Sequence, residues 1–269
     1  MNILVCVKQV PGSNNVKVDE ETGLLVRPKT GNKLNPYDLY ALETALSLRE
    51  RFGGTVKVIT MGPPQARSAL EECIWMGCDE GILLTDRAFG GADVLATSYT
   101  ISQGIACCGD WDLILCGKQT TDGDTAQVGA ETAEHLGIPH LSNVVSVIDA
   151  DGCGVTVRAN QEKVVVTERI QLPCLLCMES EVNTPRLPSY RRKKAMDAAC
   201  IRSLGLSDLK DTDPGRYGLK GSPTKVRRVF PPEKSSGRTL VNGTADELSA
   251  AIAGLLAQRK FIGEGSWDS

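Results

Sequence analysis

Hydrophobic residues open this chain in one unbroken run. Residues 3–7 read Ile-Leu-Val-Cys-Val, the pattern of a strand buried on both faces of a parallel sheet. Two short alternating runs follow at 16–18 and 24–26, separated by Asp-Glu-Glu-Thr-Gly, and read as a surface β-hairpin. Asn35-Pro36 then starts a helix, with Asn as N-cap and Pro at the first helical position. Leu39, Leu42, Ala45, Leu46 and Phe52 keep helical spacing up to Gly53-Gly54. Strands are predicted at 55–61, 81–85 and 112–116, and helices at 65–76, 93–107 and 125–136. Such alternation suits βαβ crossovers, so the fold class is α/β, a mainly parallel doubly wound sheet with helices on both faces.

The period changes after Leu141. Runs at 144–148, 155–158 and 163–168 are β-branched or alternating and joined by polar turns, which predicts an added antiparallel hairpin, and 172–178 returns to a buried strand. From Asn183 onward, Pro185, Pro188, Pro214, Pro223, Pro231 and Pro232 punctuate a basic stretch before a last helix at 245–259. A stretch so poor in core residues buries little by itself. The expected organisation is a ligand-binding α/β domain over 1–185 and an extended C-terminal arm over 186–269. The arm wraps its own domain or a partner, and residues 263–269 are read as disordered.

Composition narrows the function classes. Lys and Arg number 30 against 33 Asp and Glu, a net charge of −3, which argues against a general grip on nucleic acid or anionic membrane. With 3 Trp, 5 Tyr and 4 Phe in 269 residues, base-stacking platforms are not expected. The first residues show no basic leader followed by a long apolar stretch, so no secretory signal is expected, and no uncharged apolar run reaches the roughly 18 to 20 residues that span a bilayer. A cytoplasmic location is expected, with the 10 cysteines reduced.

In a parallel sheet, ligands bind beyond the carboxyl ends of the strands. The most informative turn is Gly117-Lys118-Gln119-Thr120-Thr121-Asp122-Gly123-Asp124-Thr125-Ala126-Gln127-Val128-Gly129, which leads from a strand into the first turn of a helix. Backbone N–H groups at a helix start form an anion site, and small residues let a pyrophosphate come close. Asp122 and Asp124 suit capping or sugar hydroxyls better than phosphate. By itself the segment reads equally as a capped turn with no ligand. Neither Gly-x-x-x-x-Gly-Lys-Ser/Thr nor Gly-x-Gly-x-x-Gly occurs between a strand and a helix. A second turn, residues 86–93, pairs Gly90 and Gly91 with Arg87. The turns at 35–38 and 61–63 would share the same edge.

Other chemistry is weaker. Cys174-Leu-Leu-Cys177 lies in an apolar strand, where its two thiols face opposite sides, so no metal site is expected. His135 and His140 are the only histidines, and no catalytic triad can be assembled. Arg191-Arg192-Lys193-Lys194 reads as a solvated loop or a docking loop for an acidic partner.

Several segments together resemble the small (β) subunit of electron-transfer flavoproteins. They are residues 5–11 (Val-Cys-Val-Lys-Gln-Val-Pro), 34–38 (Leu-Asn-Pro-Tyr-Asp), 60–63 (Thr-Met-Gly-Pro) and the block 117–129. Residues 86–93, 96–104 and 185–190 are similar to the electron-bifurcating branch, most of all to the small subunit of caffeoyl-CoA reductase complexes.

The resemblance implies an αβ heterodimer in which this subunit binds an adenine nucleotide: AMP in housekeeping members, a second FAD in bifurcating ones. By position, the contacts would be Cys6, Asn35, Pro36, Tyr37, Asp38, Met61 and residues 117–128. Housekeeping members carry bulkier residues at Gly123, Thr125 and Ala126, so FAD is expected. The flavin would then take a hydride from NADH, sending one electron to ferredoxin and the other through the large subunit's FAD to an acyl-CoA dehydrogenase-like partner. The protein holds and tunes the cofactor, and no general acid or base is expected. Arg87, Gly90, Gly91 and Thr97 are the expected NADH residues. Tyr190, Arg191, Arg192 and Lys193 occupy the position of a recognition loop, 186–200, for the dehydrogenase. Alternatives are a housekeeping subunit with structural AMP and a stand-alone nucleotide sensor.

Overall fold

The structure is a computed structural model that describes residues 1–12, 31–226 and 240–262, together with the backbone of 17–18 and 25–26. Its contacts divide the chain into two compact units, 1–229 and 230–269.

The first unit is built on one nine-stranded sheet. In chain order its strands are β1 (Asn2–Cys6), β6 (Thr55–Met61), β7 (Glu80–Leu84), β8 (Leu113–Gly117), β9 (His140–Ala150), β10 (Gly154–Gln161), β11 (Val164–Gln171), β12 (Cys174–Met178) and β13 (Ile201–Leu204). They lie side by side as β11-β10-β9-β12-β8-β1-β6-β7-β13. Every pairing from β9 to β13 is parallel, and β10 and β11 form the expected antiparallel hairpin. Between β1 and β6, the short strands β2 (Gln9–Pro11) and β5 (Asn32–Leu34) pair antiparallel, a ladder with no clear sequence signal. Beyond them β3 (Lys17–Val18) pairs with β4 (Leu25–Val26), where the hairpin was predicted. The turn between these last two, 19–24, lies outside the described residues.

Helices α1 (Pro36–Phe52) and α2 (Arg67–Met76) cover one face of the sheet, and α3 (Val94–Ile105) and α4 (Val128–Leu136) the other. The unbroken apolar run of β1 follows from this. Ile3, Val5 and Val7 pack with Leu42 and Leu46 of α1, while Leu4 packs with Tyr99 of α3 and Ala133 of α4. Cys174 and Cys177 fall in the two opposite cores, as their strand spacing requires.

Besides shifts of a few residues at element ends, three departures from the sequence reading have a physical cause. Helix α4 starts at Val128, not 125, because Asp124 and Ala126 take left-handed backbone angles, φ 53° and 55°, which no helix tolerates. The basic run 191–194 is not a loop but part of a short helix, α5 (Tyr190–Ala195), capped by Ser189. The proline-rich stretch after 186 also supplies β13, whose four residues reach the sheet only through a long connection and so carry no visible periodicity.

Beyond β13 the chain crosses the ends of β7 and α3 and forms the single turn α6 (Gly218–Gly221). Tyr217 is fully buried between the rings of Phe89 and Tyr99, with centroids 5.5 and 5.4 Å away. Arg216 stacks over Tyr99 at 4.2 Å and bonds Asp211 at 2.9 Å. Asp93 caps α3 through Ala96 N–H at 3.1 Å and accepts two bonds from Thr224, at 2.9 and 2.8 Å. In the second unit, α7 (Ala245–Gln258) starts with a reciprocal Thr244–Glu247 capping box. Residues 263–269, read as disordered, lie outside the described residues.

Asp93 therefore serves a helix start and a strap at once. Asp93→Ala should lower the unfolding free energy by about 1–2 kcal/mol in urea titration. An unchanged midpoint would show that neither set of bonds matters to stability.

Candidate functional site

From β1 the chain moves outward to β6 and β7, then returns across to β8 on the other side of β1. That reversal opens a crevice beyond the carboxyl ends of β1 and β8, where ligands bind in open α/β sheets. Cys6, Met61 and Gly117 end the three adjacent strands β1, β6 and β8 at this edge.

The start of α1 and the end of β8 meet so closely that Gly117 cannot be replaced. A Cβ there would stand 2.5 Å from Asp38 Oδ1 and 2.6 Å from the carbonyl carbon of Tyr37. Asn35 is fully buried, and it does not cap α1 with its side chain as predicted. Its amide reaches across the crevice instead. Nδ2 donates to Gln119 O at 2.9 Å, and Oδ1 accepts from Thr121 N at 3.3 Å. Tyr37 OH receives a bond from Gln119 Nε2 at 3.1 Å, so α1 holds the loop at two points. Pro36 opens the helix, as expected.

Asp38 is 4% exposed and accepts Lys8 N–H at 2.7 Å. Burial pushes its carboxyl up to about 7, against the opposing pull of neighbouring hydrogen bonds. Lys8 also extends its Nζ to Asp122, 2.7 Å away, so the nearer of the two loop aspartates has a cationic partner. Burial pushes the Cys6 thiol up as well.

The loop itself is open to solvent from Thr121 through Gln127, including Gly123, Asp124, Thr125 and Ala126. Thr120 Oγ1 accepts the N–H groups of Gly123 and Asp124 at 3.3 and 3.4 Å, forming a tight turn. Lys118 is drawn to the other side by Glu179, at 3.0 Å. Gln127 stands at the N-cap of α4 without a capping side-chain bond, and the first turn beginning at Val128 faces the crevice edge. Exposed small residues leading to an uncapped helix start can hold an anion by backbone N–H groups. The predicted residues at 6, 35–38, 61 and 117–128 thus gather at one edge.

The turn 86–93 is at the same edge, two strands from β1. Arg87 is exposed and Thr97 half-buried. Gly91 has φ 73° and packs against Leu219, and Gly90 O accepts Leu219 N–H at 2.9 Å, so both glycines also seat the chain's own strap. Tyr190, Arg191, Arg192 and Lys193 lie elsewhere, on α5 against α2. Lys193 Nζ stands 4.5 Å over the Trp75 ring, and Tyr190 is 71% exposed. Among the described residues no three His, Cys, Asp or Glu converge as metal ligands, and no helix is long and apolar enough to cross a membrane.

Sequence reasoning missed Lys8 as a part of this site, and it named Gly129 only as the end of the turn, not for what it touches. Lys8 follows directly on the apolar run of β1, and nothing local ties it to a residue 114 positions away. Gly129 presses on two buried thiols, a contact across three elements that no local pattern announces.

A mostly parallel sheet whose strand order reverses beside β1 places the chain in the large class of doubly wound α/β proteins. Residues 22–203 match the electron transfer flavoprotein domain. An electron transfer flavoprotein subunit beta of Clostridium acetobutylicum is 42% identical over 262 residues, covering 97% of this chain and 100% of that protein. The caffeyl-CoA reductase-Etf complex subunit CarD of Acetobacterium woodii is 41% identical over 97% of this chain and all of that protein. Protein FixA of Bradyrhizobium diazoefficiens is 40% identical over 94% of this chain and 90% of that one. The chain belongs to the electron transfer flavoprotein family, among its beta subunits.

The raised Asp38 carboxyl makes stability depend on pH. Between its ordinary value of 3.8 and about 7, the folded protein keeps a proton that the unfolded chain has released. Stability from this group is therefore full at the acid end and falls as pH rises through that window. Asp38→Asn should flatten the slope of unfolding free energy against pH there. An identical slope in both proteins would place the Asp38 proton elsewhere.

Proposed function

We propose that this chain is the nucleotide-binding small subunit of a bifurcating electron-transfer flavoprotein, paired with a large (α) subunit in the cytoplasm. The observation that carries the reading is the exposed loop Gly123-Asp124-Thr125-Ala126, whose small side chains run into an uncapped helix start at the switch point of the sheet. An FAD diphosphate fits there better than a ligand that needs side-chain contacts, because its oxygens can be met by backbone N–H groups. When bound, FAD supplies the hydride and single-electron chemistry that passes reducing equivalents from NADH to ferredoxin and, through the large subunit, to an acyl-CoA dehydrogenase-like enzyme.

The chain's own residues do the holding. Asn35 and Tyr37 fix the loop's first half to α1, and Lys8 balances Asp122 so that a diphosphate meets one carboxylate fewer. Cys6, Pro36, Asp38 and Met61 wall the crevice. We assign NADH to the turn bearing Arg87, Gly90, Gly91 and Thr97, with the exposed guanidinium of Arg87 for its phosphate. Of the arm, residues 186–269, the stretch 201–224 packs on the chain's own sheet and α3, and the arm's outer faces are the ones that meet partner subunits. Within it, exposed Tyr190 and the adjacent Leu187, 86% exposed, with Arg191, Arg192 and Lys193, form the face for the dehydrogenase.

Two measurements on the co-expressed heterodimer test this. Two FAD per heterodimer are expected; one FAD with one AMP would establish the housekeeping alternative instead, and no flavin would leave only a nucleotide sensor. Arg87→Ala should raise the NADH concentration needed for half-maximal flavin reduction on the order of tenfold, as loss of one charge-assisted phosphate contact implies. Unchanged NADH dependence would remove Arg87 from the site.

A further inference from the structure

Three thiols stand side by side at the carboxyl edge of the sheet. Cys6 on β1 is in register with Cys116 on β8, and Cys116 with Cys177 on β12. In-register residues of parallel strands point to one face, here the face covered by α3 and α4. The Cys116 and Cys177 sulfurs are 3.5 Å apart. Their Cα atoms, on adjacent strands roughly 4.8 Å apart, fall within the span of roughly 4.4–6.8 Å that a disulfide bridges.

The two sulfurs are not equivalent. Hydrogen bonds from Cys116 and from the Ser142 hydroxyl hold the Cys177 thiol below its ordinary value. The bond to Cys177, together with burial, pushes Cys116 up. Either sulfur can donate to the other; we assign the attack on peroxide to Cys177, which the Ser142 hydroxyl also faces, with Cys116 3.5 Å away to close the bond.

Above the pair lies the second residue of α4. A Cβ on Gly129 would stand 2.5 Å from the Cys177 sulfur and 2.7 Å from that of Cys116, so the helix backbone rests directly on both thiols. This first turn of α4 is also the end of the loop 118–127.

We propose that Cys116 and Cys177 form a reversible dithiol–disulfide couple, oxidised by hydroperoxides, whose closure reseats the first turn of α4 and the loop before it. The Cys177 thiolate attacks one peroxide oxygen and the O–O bond breaks. A sulfenic acid forms, and the leaving oxygen takes up the thiol proton as an alcohol, or as water from hydrogen peroxide. The Cys116 sulfur then attacks the sulfenic sulfur. An S–S bond forms, the S–O bond breaks, and hydroxide leaves as water with the Cys116 proton. Two thiols lose two electrons in all, and the peroxide bond gains them. Closing the sulfurs from 3.5 Å to a bonded distance of about 2 Å removes the surface on which Gly129 sits. Its effect on nucleotide binding rests on the function proposed above; the linkage itself does not.

The test uses the purified, fully reduced heterodimer treated with equimolar hydrogen peroxide. Free thiols are then blocked with N-ethylmaleimide under denaturing conditions, and the digest is read by mass spectrometry. A peptide pair linked through Cys116 and Cys177 is expected, lost with dithiothreitol and absent from Cys177→Ser. Hydrogen exchange over residues 118–130 should change several-fold on oxidation of the native protein and not of Cys177→Ser. Maleimide on both cysteines after peroxide, or linkage to other cysteines, overturns the couple. Linkage with unchanged exchange over 118–130 overturns the reseating. Neither native-protein readout needs the variant to fold. Linkage and altered exchange in a protein with no nucleotide at this edge would count against the proposed function alone.

Discussion

The end of β8 touches the start of α1 with no room for a side chain between them. Because Gly117 lies against the backbone of Tyr37 and the carboxyl of Asp38, the strand and the helix cannot move independently. The rest of the crevice depends on that contact. It buries Asp38 and holds Asn35 where its amide can bond both Gln119 and Thr121. The chain leaving β8 then has to turn back over the sheet. A wider gap would free the loop 118–127 from α1, and its exposed backbone would have no fixed direction.

That loop is locally costly. Left-handed angles at Asp124 and Ala126 are unfavourable for residues with a Cβ, and an uncapped helix start leaves polar groups unmet within the protein. Both features occur at one point, beyond the carboxyl ends of the strands, where a ligand's oxygens can meet them. Strain held in place by surrounding structure is common at binding sites, and here Asn35, Thr120 and Lys8 do the holding.

The cysteines illustrate how much position matters. Counted along the chain, they are small apolar residues for a protein short of aromatics, and most serve so, as Cys73, Cys78 and Cys174 do in the core under α1 and α2. Cys116 and Cys177 are buried in the same way, yet parallel register sets them adjacent and beneath a glycine of the site. No spacing in the sequence distinguishes them from their neighbours, because the register between β8 and β12 joins residues 61 positions apart.

What the sequence determined by itself were the features encoded within a dozen residues. The apolar runs of β1, β8 and β12 mark strands buried on both faces, and their alternation with amphipathic helices marks the doubly wound sheet. The carboxyl-edge rule then places residues 35–38 and 117–128 together without coordinates. Tertiary structure decided what depends on distant partners. Asn35 has the composition of a cap but bonds the loop, since that bond becomes available only when β8 lies beside β1. The glycines at 90 and 91 read as a ligand turn, and they also receive the returning strap of Leu219. The strand at 201–204 has too few residues for a period and exists because the edge of β7 offers it a partner. Local patterns specify which element forms; only packing specifies which of its polar groups are already engaged and which remain to meet a ligand.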